Sequence, residues 1–301
     1  MPNLHDIEKR IRSVGSTKQI TRTMEMVAGA KVKQATDRVA AAGPYAASMS
    51  EMLTGVASRV QANENTLLER RANVKRVLAI VVVSDRGLAG GFNSNALRAT
   101  EALVRARTAE NAEVDVIACG KKAGSFLNYR GITPVLSFSG TSADPTIEQA
   151  QEISDWAISA YETGSIDEVV LIYNHAKNAA EQVLVQETVL PVSIENVDKP
   201  KEDKDQSASS EADLAPDMEF EPDPAAVLDN LLPTYVRTSI YHALLDSAAG
   251  EQAARRSAMH SATENANEMV ETLSRIYNRV RQSAITTEIS EIVGGAAALE
   301  E

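Results

Sequence analysis

Cysteine is nearly absent from this chain of 301 residues: Cys119 stands alone, which excludes an intrachain disulfide and a thiolate metal cluster and fits a reducing compartment. Aromatic residues make up 4% of the chain against 44% for all hydrophobic types, which suits thin, Ala-rich helix packing better than one bulky core. No apolar run reaches the roughly 18 residues of a membrane-spanning helix, and the opening MPNLHDIEKRIR lacks the apolar heart of a signal peptide, so the chain is not expected to cross a membrane. The catalytic and metal motifs HExxH, CxxC and GxSxG are missing, and His5, His175, His242 and His260 lie far apart, so neither a metal nor a cofactor is expected. Proline is missing after Pro233, and Gly250 is the only glycine between there and Gly294. Helix breakers are thus withheld from a very long C-terminal stretch.

That stretch, Thr234 to Ala298, reads as one helix of about 100 Å. Steps of four and three from Tyr241 give Leu245, Ala248, Gln252, Arg255, Met259, Ala262, Ala266, Met269, Leu273, Ile276, Val280 and Ser283, apolar at all but Gln252, Arg255 and Ser283. A seven-residue seam of this kind calls for a partner helix and a left-handed supercoil. After Val280 the register slips, and Ile285, Ile289, Ile292 and Val293 form a separate apolar end, followed by Gly294 and Gly295, which are expected to loosen the tip.

The N-terminal segment supplies the partner. From Ile7 the same ladder runs through Ile11, Val14, Lys18, Thr21, Glu25, Ala28, Val32, Ala35, Val39, Ala42, Ala46, Met49, Leu53, Val56 and Val60, with thirteen of sixteen positions apolar. Pro44, after Gly43, is expected to kink this helix.

Between the two lies an α/β pattern. Val77–Val83, Val114–Cys119 and Val169–Tyr173 read as buried strands, Val135–Phe138 and Val183–Ile194 as edges, and Ser94–Asn111, Lys121–Tyr129 and Thr146–Thr163 as helices. Strands alternating with helices imply a mainly parallel, Rossmann-like sheet with a core of its own. An insertion with both ends at one foot forces the two long helices to run antiparallel, as a two-helix coiled coil. The expected division is 1–62 (first helix), 74–196 (α/β domain), 197–223 (acidic flexible loop) and 224–301 (second helix). Pro222, Pro224 and Pro233 punctuate the approach to the second helix, whose tip should project on the order of 10 Å beyond the first.

The net charge of −12 is unevenly spread. Residues 1–40 carry eight Lys/Arg against four acids, whereas 198–223 hold ten acids against three lysines. A basic helix in an acidic protein asks for an acidic partner, and few aromatics make nucleic acid the weaker candidate. SDRGLAGGFN follows a strand and precedes a helix, where phosphates bind in many α/β folds, but Gly87, Gly90 and Gly91 fit neither GxGxxG nor GxxxxGK. A tight strand-to-helix turn is the better reading, with Cys119 a small buried hydrophobe and Met24 and Met26 packing residues. Arg281 and Gln282 read, on the residues alone, as a solvated patch.

ITRTMEMVAGAK (20–31), SDRGLAGGFN (84–93), EPDPAAVLDNLLPTYV (221–236), SAAGEQAARRSAM (247–259) and NRVRQSAITTEISEIVGGAAAL (278–299) together resemble the γ subunit of bacterial F-type ATP synthases. The resemblance implies a rotor shaft with no catalytic site or cofactor of its own, standing within three α and three β subunits, with its foot on the ε subunit and the membrane c-ring. It implies a peripheral place on the cytoplasmic side of the cell membrane. Proton flow turns ring and shaft, and the asymmetric shaft drives each β subunit through open and closed forms. By the same resemblance Met24 corresponds to a methionine near the β lever, and Arg281, Gln282 and Thr286 to a polar group that hydrogen-bonds a β loop.

Ala89 stands where many relatives have cysteine, and Arg256 and Ser257 replace an apolar pair often found after EQAAR. The dithiol insertion of chloroplast relatives is missing, so thiol control is not expected. Two other classes remain open on the residues alone: a ligand-binding α/β domain on a coiled-coil stalk, and a static scaffold.

Overall fold

The computed structural model describes residues 4–57, 65–178, 181–193 and 223–299. The expected loop at 198–217 and the ladder position Val60 lie outside them. The chain divides into two compact units, residues 30–254 and residues 1–29 with 255–301. Two long helices, α1 (Leu4–Ala57) and α5 (Pro224–Leu299), contribute to both.

The larger unit is built on a five-stranded sheet. Its strands are β1 (Arg76–Val82), β2 (Glu113–Cys119), β3 (Leu136–Phe138), β4 (Glu168–Ala176) and β5 (Gln182–Leu190), in the order β3-β2-β1-β4-β5. The pairs β1–β2, β1–β4 and β2–β3 are parallel, and β5 closes one edge antiparallel to β4. The Rossmann-like, mainly parallel sheet read from the sequence is therefore present, with β3 and β5 as the edges. Helices α2 (Phe92–Ala109), α3 (Lys121–Tyr129) and α4 (Ile147–Glu162) link the strands. Start signals are local: Thr146 and Gln149 form a reciprocal capping box at α4, and the Asp223 carboxylate accepts the Ala226 N–H beside Pro224 at the start of α5.

Because successive strand residues point to opposite faces, β1 feeds two cores. Val77, Ala79, Val81 and Val83 pack with Ala96, Leu97 and Leu103 of α2 and Ala123 and Leu127 of α3. Leu78, Ile80 and Val82 pack on the other face with Ile153, Ala157 and Tyr161 of α4, but also with Met49, Leu53 and Val56 of α1 and Leu228, Leu232, Val236, Ile240 and Leu244 of α5. The α/β unit thus has one core of its own, between the sheet and α2 and α3, and a second that it shares. One face of its sheet is covered by the two long helices, and each fully buried Leu or Ile there contributes roughly 1.5–3 kcal/mol relative to exposure.

Both long helices contain a proline. α5 begins at Pro224 and runs through Pro233, ten residues ahead of Thr234. Proline removes one N–H bond, but its neighbours Leu232 and Val236 are fully buried against the sheet, and that packing outweighs the lost bond. α1 likewise runs unbroken through Pro44.

In the smaller unit α1 and α5 pair antiparallel. Lys18 Nζ donates to Asn267 Oδ1 at 2.6 Å, Thr263 Oγ1 to Thr21 Oγ1 at 2.8 Å, and His260 Nδ1 lies 3.0 Å from Glu25 Oε1. Numbers rise on one helix as they fall on the other, which fixes the register. Ile7, Ala28, Met259 and Ala266 are buried at the seam. Met269, expected there, is 54% exposed, while Val270 is half-buried in its place. The steps of four and three are taken in the other order between Ala266 and Leu273, and the ladder positions Leu273, Ile276 and Val280 stay half-buried.

The same register sets Leu4, where α1 begins, opposite about Arg281. Backbone helix continues past Gly294 and Gly295 to Leu299. Among the described residues the end of α5 beyond α1 is therefore about 27 Å long, not about 10 Å.

Candidate functional site

In open α/β sheets ligands bind beyond the carboxyl ends of the strands, at the point where strand order reverses, here between β1 and β4. The chain fills that place with its own side chains. After β1, Asn93 Oδ1 accepts the Ser84 N–H at 2.9 Å and Asn93 Nδ2 donates to Ser84 Oγ at 2.7 Å, which folds SDRGLAGGFN into a closed turn. Leu88 (φ 66) and Gly90 (φ 57) are left-handed within it.

Asp85 fixes the turn to its surroundings. One carboxylate oxygen accepts the Lys121 N–H at the start of α3 at 2.9 Å; the other accepts the Gly140 N–H at 3.0 Å and the Ser142 hydroxyl at 3.1 Å. Helix N-termini and loop amides of this kind hold phosphates in other folds, but here a carboxylate of the chain uses those donors. Gly120, at φ 104, is obligatory, since a Cβ would lie 2.1 Å from the Val83 carbonyl oxygen. Deeper in, Phe92 and Ala89 close on Ala254 of α5, and the Asn174 amide donates to the Phe92 carbonyl at 3.1 Å. Cys119, at the end of β2, is buried, and burial pushes its thiol up to about 12. It is inert in this setting.

Chemistry is thus not concentrated in a cleft, and the residues singled out for partner contact lie on helix surfaces. Arg281, Gln282 and Thr286 are exposed on the unpaired end of α5, where Thr286 Oγ1 donates to the Gln282 carbonyl at 2.9 Å. They lie within about one and a half turns of each other. Met24 is half-buried on α1, opposite about His260, and so stands roughly 30 Å along the helix pair from Arg281. The four residues are two separate surfaces and not one site.

Sequence reasoning passed over Ile20 and Val27, and it read Met26 as a packing residue, which its exposure corrects. Ile20, Met26 and Val27 are 59%, 60% and 56% exposed, against the half-buried Met24. Their signal was available, because each is an apolar residue that falls off the four-and-three ladder. Large apolar side chains held off a seam and left in water mark a face that a partner covers.

A family model described as ATP synthase matches residues 3–299. The ATP synthase gamma chain of Chlorobaculum tepidum is 41% identical over 304 residues, covering 100% of both chains. That of Heliobacterium modesticaldum is 40% identical, covering 99% of this chain and 100% of its own. Among solved structures, a chain of the Tetrahymena thermophila mitochondrial ATP synthase, in its central stalk and c-ring, shares 25% identity with a TM-score of 0.58, over 81% of this chain and 99% of that one. A chain of the Euglena gracilis mitochondrial enzyme has the same fold, with a TM-score of 0.64 and 19% identity over 98% of this chain and 94% of that one. Matched along its whole length to relatives so named, this chain belongs to the ATP synthase gamma chain family.

Proposed function

We propose that this chain is the central-stalk rotor subunit of an F-type ATP synthase, carrying torque between a proton-driven c-ring and a catalytic head of α and β subunits. In this reading it holds no catalytic site or cofactor, and ATP chemistry stays with its partners. The two long helices are the shaft, and the 74–196 domain with the ε subunit is the foot. The chain is peripheral to the cell membrane on its cytoplasmic side, held there through the complex.

The observation that carries this reading is the antiparallel pairing of Lys18 with Asn267 and of Thr21 with Thr263, continued by an unpaired helical end. A supercoiled pair resists twisting better than one helix, because each turn is interlocked with its neighbour's side chains. The single helix beyond it presents Ile285, Ile289, Ile292 and Val293 on one side and Ser283, Thr286, Thr287 and Ser290 on the other. Three of those hydroxyls turn back to their own helix: Thr286 Oγ1 donates to the Gln282 carbonyl, Thr287 to Ser283 and Ser290 to Thr286. A surface with its hydroxyl protons used internally makes few directional bonds to a surrounding sleeve, as an axle end requires. Arg281, Gln282 and Thr286 at the start of that end, and Met24 with its apolar neighbours on α1, are the β-contacting surfaces of this reading.

The test is reconstitution of the full chain with α and β subunits of a bacterial ATP synthase lacking their own γ chain. The expected result is a complex that hydrolyses ATP and, added to vesicles holding the membrane sector, pumps protons. A chain that folds but neither joins α and β nor restores pumping would refute the reading.

A further inference from the structure

Asp246, Gly250 and Ala254 lie one turn apart on α5 and form a single stripe within the unit that holds the sheet. All three face the carboxyl end of β4 and the turn after β1. Asp246 is 2% exposed, and both of its oxygens are engaged: Oδ1 accepts the Ala176 N–H at 3.0 Å, and Oδ2 lies 2.5 Å from His175 Nδ1. At Gly250 an added Cβ would lie 3.3 Å from the Asn174 carbonyl oxygen and 3.4 Å from the Phe92 ring, a tight fit, so the helix backbone stands close to the strand end here. Ala254 packs on Ala89 and Phe92. Asn174, His175 and Ala176 are consecutive at the end of β4, so one strand end meets two turns of the helix.

We infer that this stripe is the joint that keys α5 to the sheet against rotation about its own axis, with Asp246 as its positioning residue. The inference rests on the rotor reading and names where, within the foot, torque passes into the long helix. Packing alone does not need a carboxylate here. Ala243, Leu244 and Ile240 already hold the helix to the sheet with apolar contacts, and burying an acid costs desolvation that an apolar residue avoids. A carboxylate held to a backbone N–H and a histidine supplies direction, which apolar packing lacks. Its oxygens stand about 6 Å from the helix axis, so a rotation of about 20° moves them by about 2 Å and breaks both contacts. Leucine and alanine contacts tolerate such a slip.

The experiment uses the complete ATP synthase in inverted vesicles, with ATP hydrolysis and proton pumping measured on the same sample and the thermal midpoint measured on the purified chain. Asp246→Ala removes both contacts; Asp246→Asn keeps an acceptor for the Ala176 N–H. The expected result is a pumping-to-hydrolysis ratio lowered at least threefold in Asp246→Ala and by an intermediate amount in Asp246→Asn. A wild-type ratio in Asp246→Ala overturns the joint. If that chain does not fold, His175→Gln, at a side chain 31% exposed, decides the matter: a lowered ratio supports the joint and an unchanged one overturns it. An unsubstituted chain that supports no pumping refutes the rotor reading and the joint with it, whereas normal pumping with unchanged ratios in the variants refutes the joint alone.

Discussion

Arg71 stacks on Tyr161, its guanidinium carbon 4.7 Å from the ring centroid, while its NH1 group donates to Asp167 at 2.8 Å and to the Ile166 carbonyl at 2.9 Å. Tyr161 in turn donates to the Glu69 carbonyl at 2.7 Å, and Asp167 accepts the Lys75 and Arg76 N–H groups at 2.8 and 2.9 Å. This cluster fastens the segment ahead of β1 to the turn between α4 and β4. Burial raises the Asp167 carboxyl, but the Arg71 bond and charge with the two backbone N–H groups outweigh it, and the net result lies below the usual aspartate value. A carboxyl lowered on folding adds stability above its unfolded value, and that part is lost as pH falls through the folded one. Asp167→Asn should therefore cost about 1–3 kcal/mol at neutral pH and almost nothing under acid, where the two proteins converge. Urea midpoints of both chains between pH 7 and pH 3 check this, and parallel curves would refute it.

The shared core gives a second prediction. Leu53 lies on α1 with no exposed surface, and it packs with strand and α5 residues on one face of the sheet. Leu53→Ala should cost about 2–5 kcal/mol, and it should lower the cooperative melting of the strands although the mutation is on the long helix. A fragment spanning 65–193 alone should fail to fold for the same reason. A sharp thermal transition in that fragment would show that α2, α3 and α4 suffice.

Arg281 is exposed and makes no seam contact, so Arg281→Glu should change stability by no more than about 0.5 kcal/mol. In the complex, a cation facing an acidic or carbonyl group becomes a like charge or an unmatched acceptor, and coupling should fall by more than folding does. Proton pumping per ATP hydrolysed is the measurement. Equal coupling in the variant and the parent would remove Arg281 from the contact.

Ala266 is 7% exposed on the seam of the smaller unit. Ala266→Pro deletes the bond to the Ala262 carbonyl and clashes with that turn, at a cost of about 3 kcal/mol or more. The sheet draws its α5 contacts from Leu228 to Gly250, before this point, and its circular dichroism should survive. Assembly with α and β subunits, or coupling within it, should not. Pro233 sharpens the comparison, because it is tolerated inside the same helix where sheet packing holds both sides. If the variant sustains proton-driven ATP synthesis at the parental rate, a continuous α5 is not what carries torque.

Periodicity made the helices, the strands and the edge positions legible, because an amphipathic seam and a β-branched run each obey one local rule. Lys121–Tyr129 is a helix over the same residues in the sequence reading and in the structure, since Gly120 and Gly131 bracket it. What local rules could not give was sharing. Leu228, Leu232 and Val236 look like further seam residues, yet they serve a sheet whose strands lie far away in sequence. The same limit applied at Met269, where the seam takes Val270 instead, because a seven-residue repeat allows either order of its four and three steps. Of the candidate contact residues, exposure at Arg281, Gln282 and Thr286 followed from their lying off the seam. Their separation from Met24 did not, because it depends on the pairing register, which Lys18–Asn267 and Thr21–Thr263 set and no single segment encodes.

The unpaired end of α5 has a consequence for how the protein is made. Ile285, Ile289, Ile292 and Val293 are 47%, 56%, 71% and 62% exposed in a helical end with no partner helix among the described residues to cover them. Such a segment folds at full strength only inside a sleeve that takes up its apolar side, so ordering and docking become one event. Free chains, meanwhile, offer one another the same adhesive strip. Solubility of this subunit is then a matter of stoichiometry, with its sleeve partners acting as its chaperones and any excess of it drawn toward aggregation.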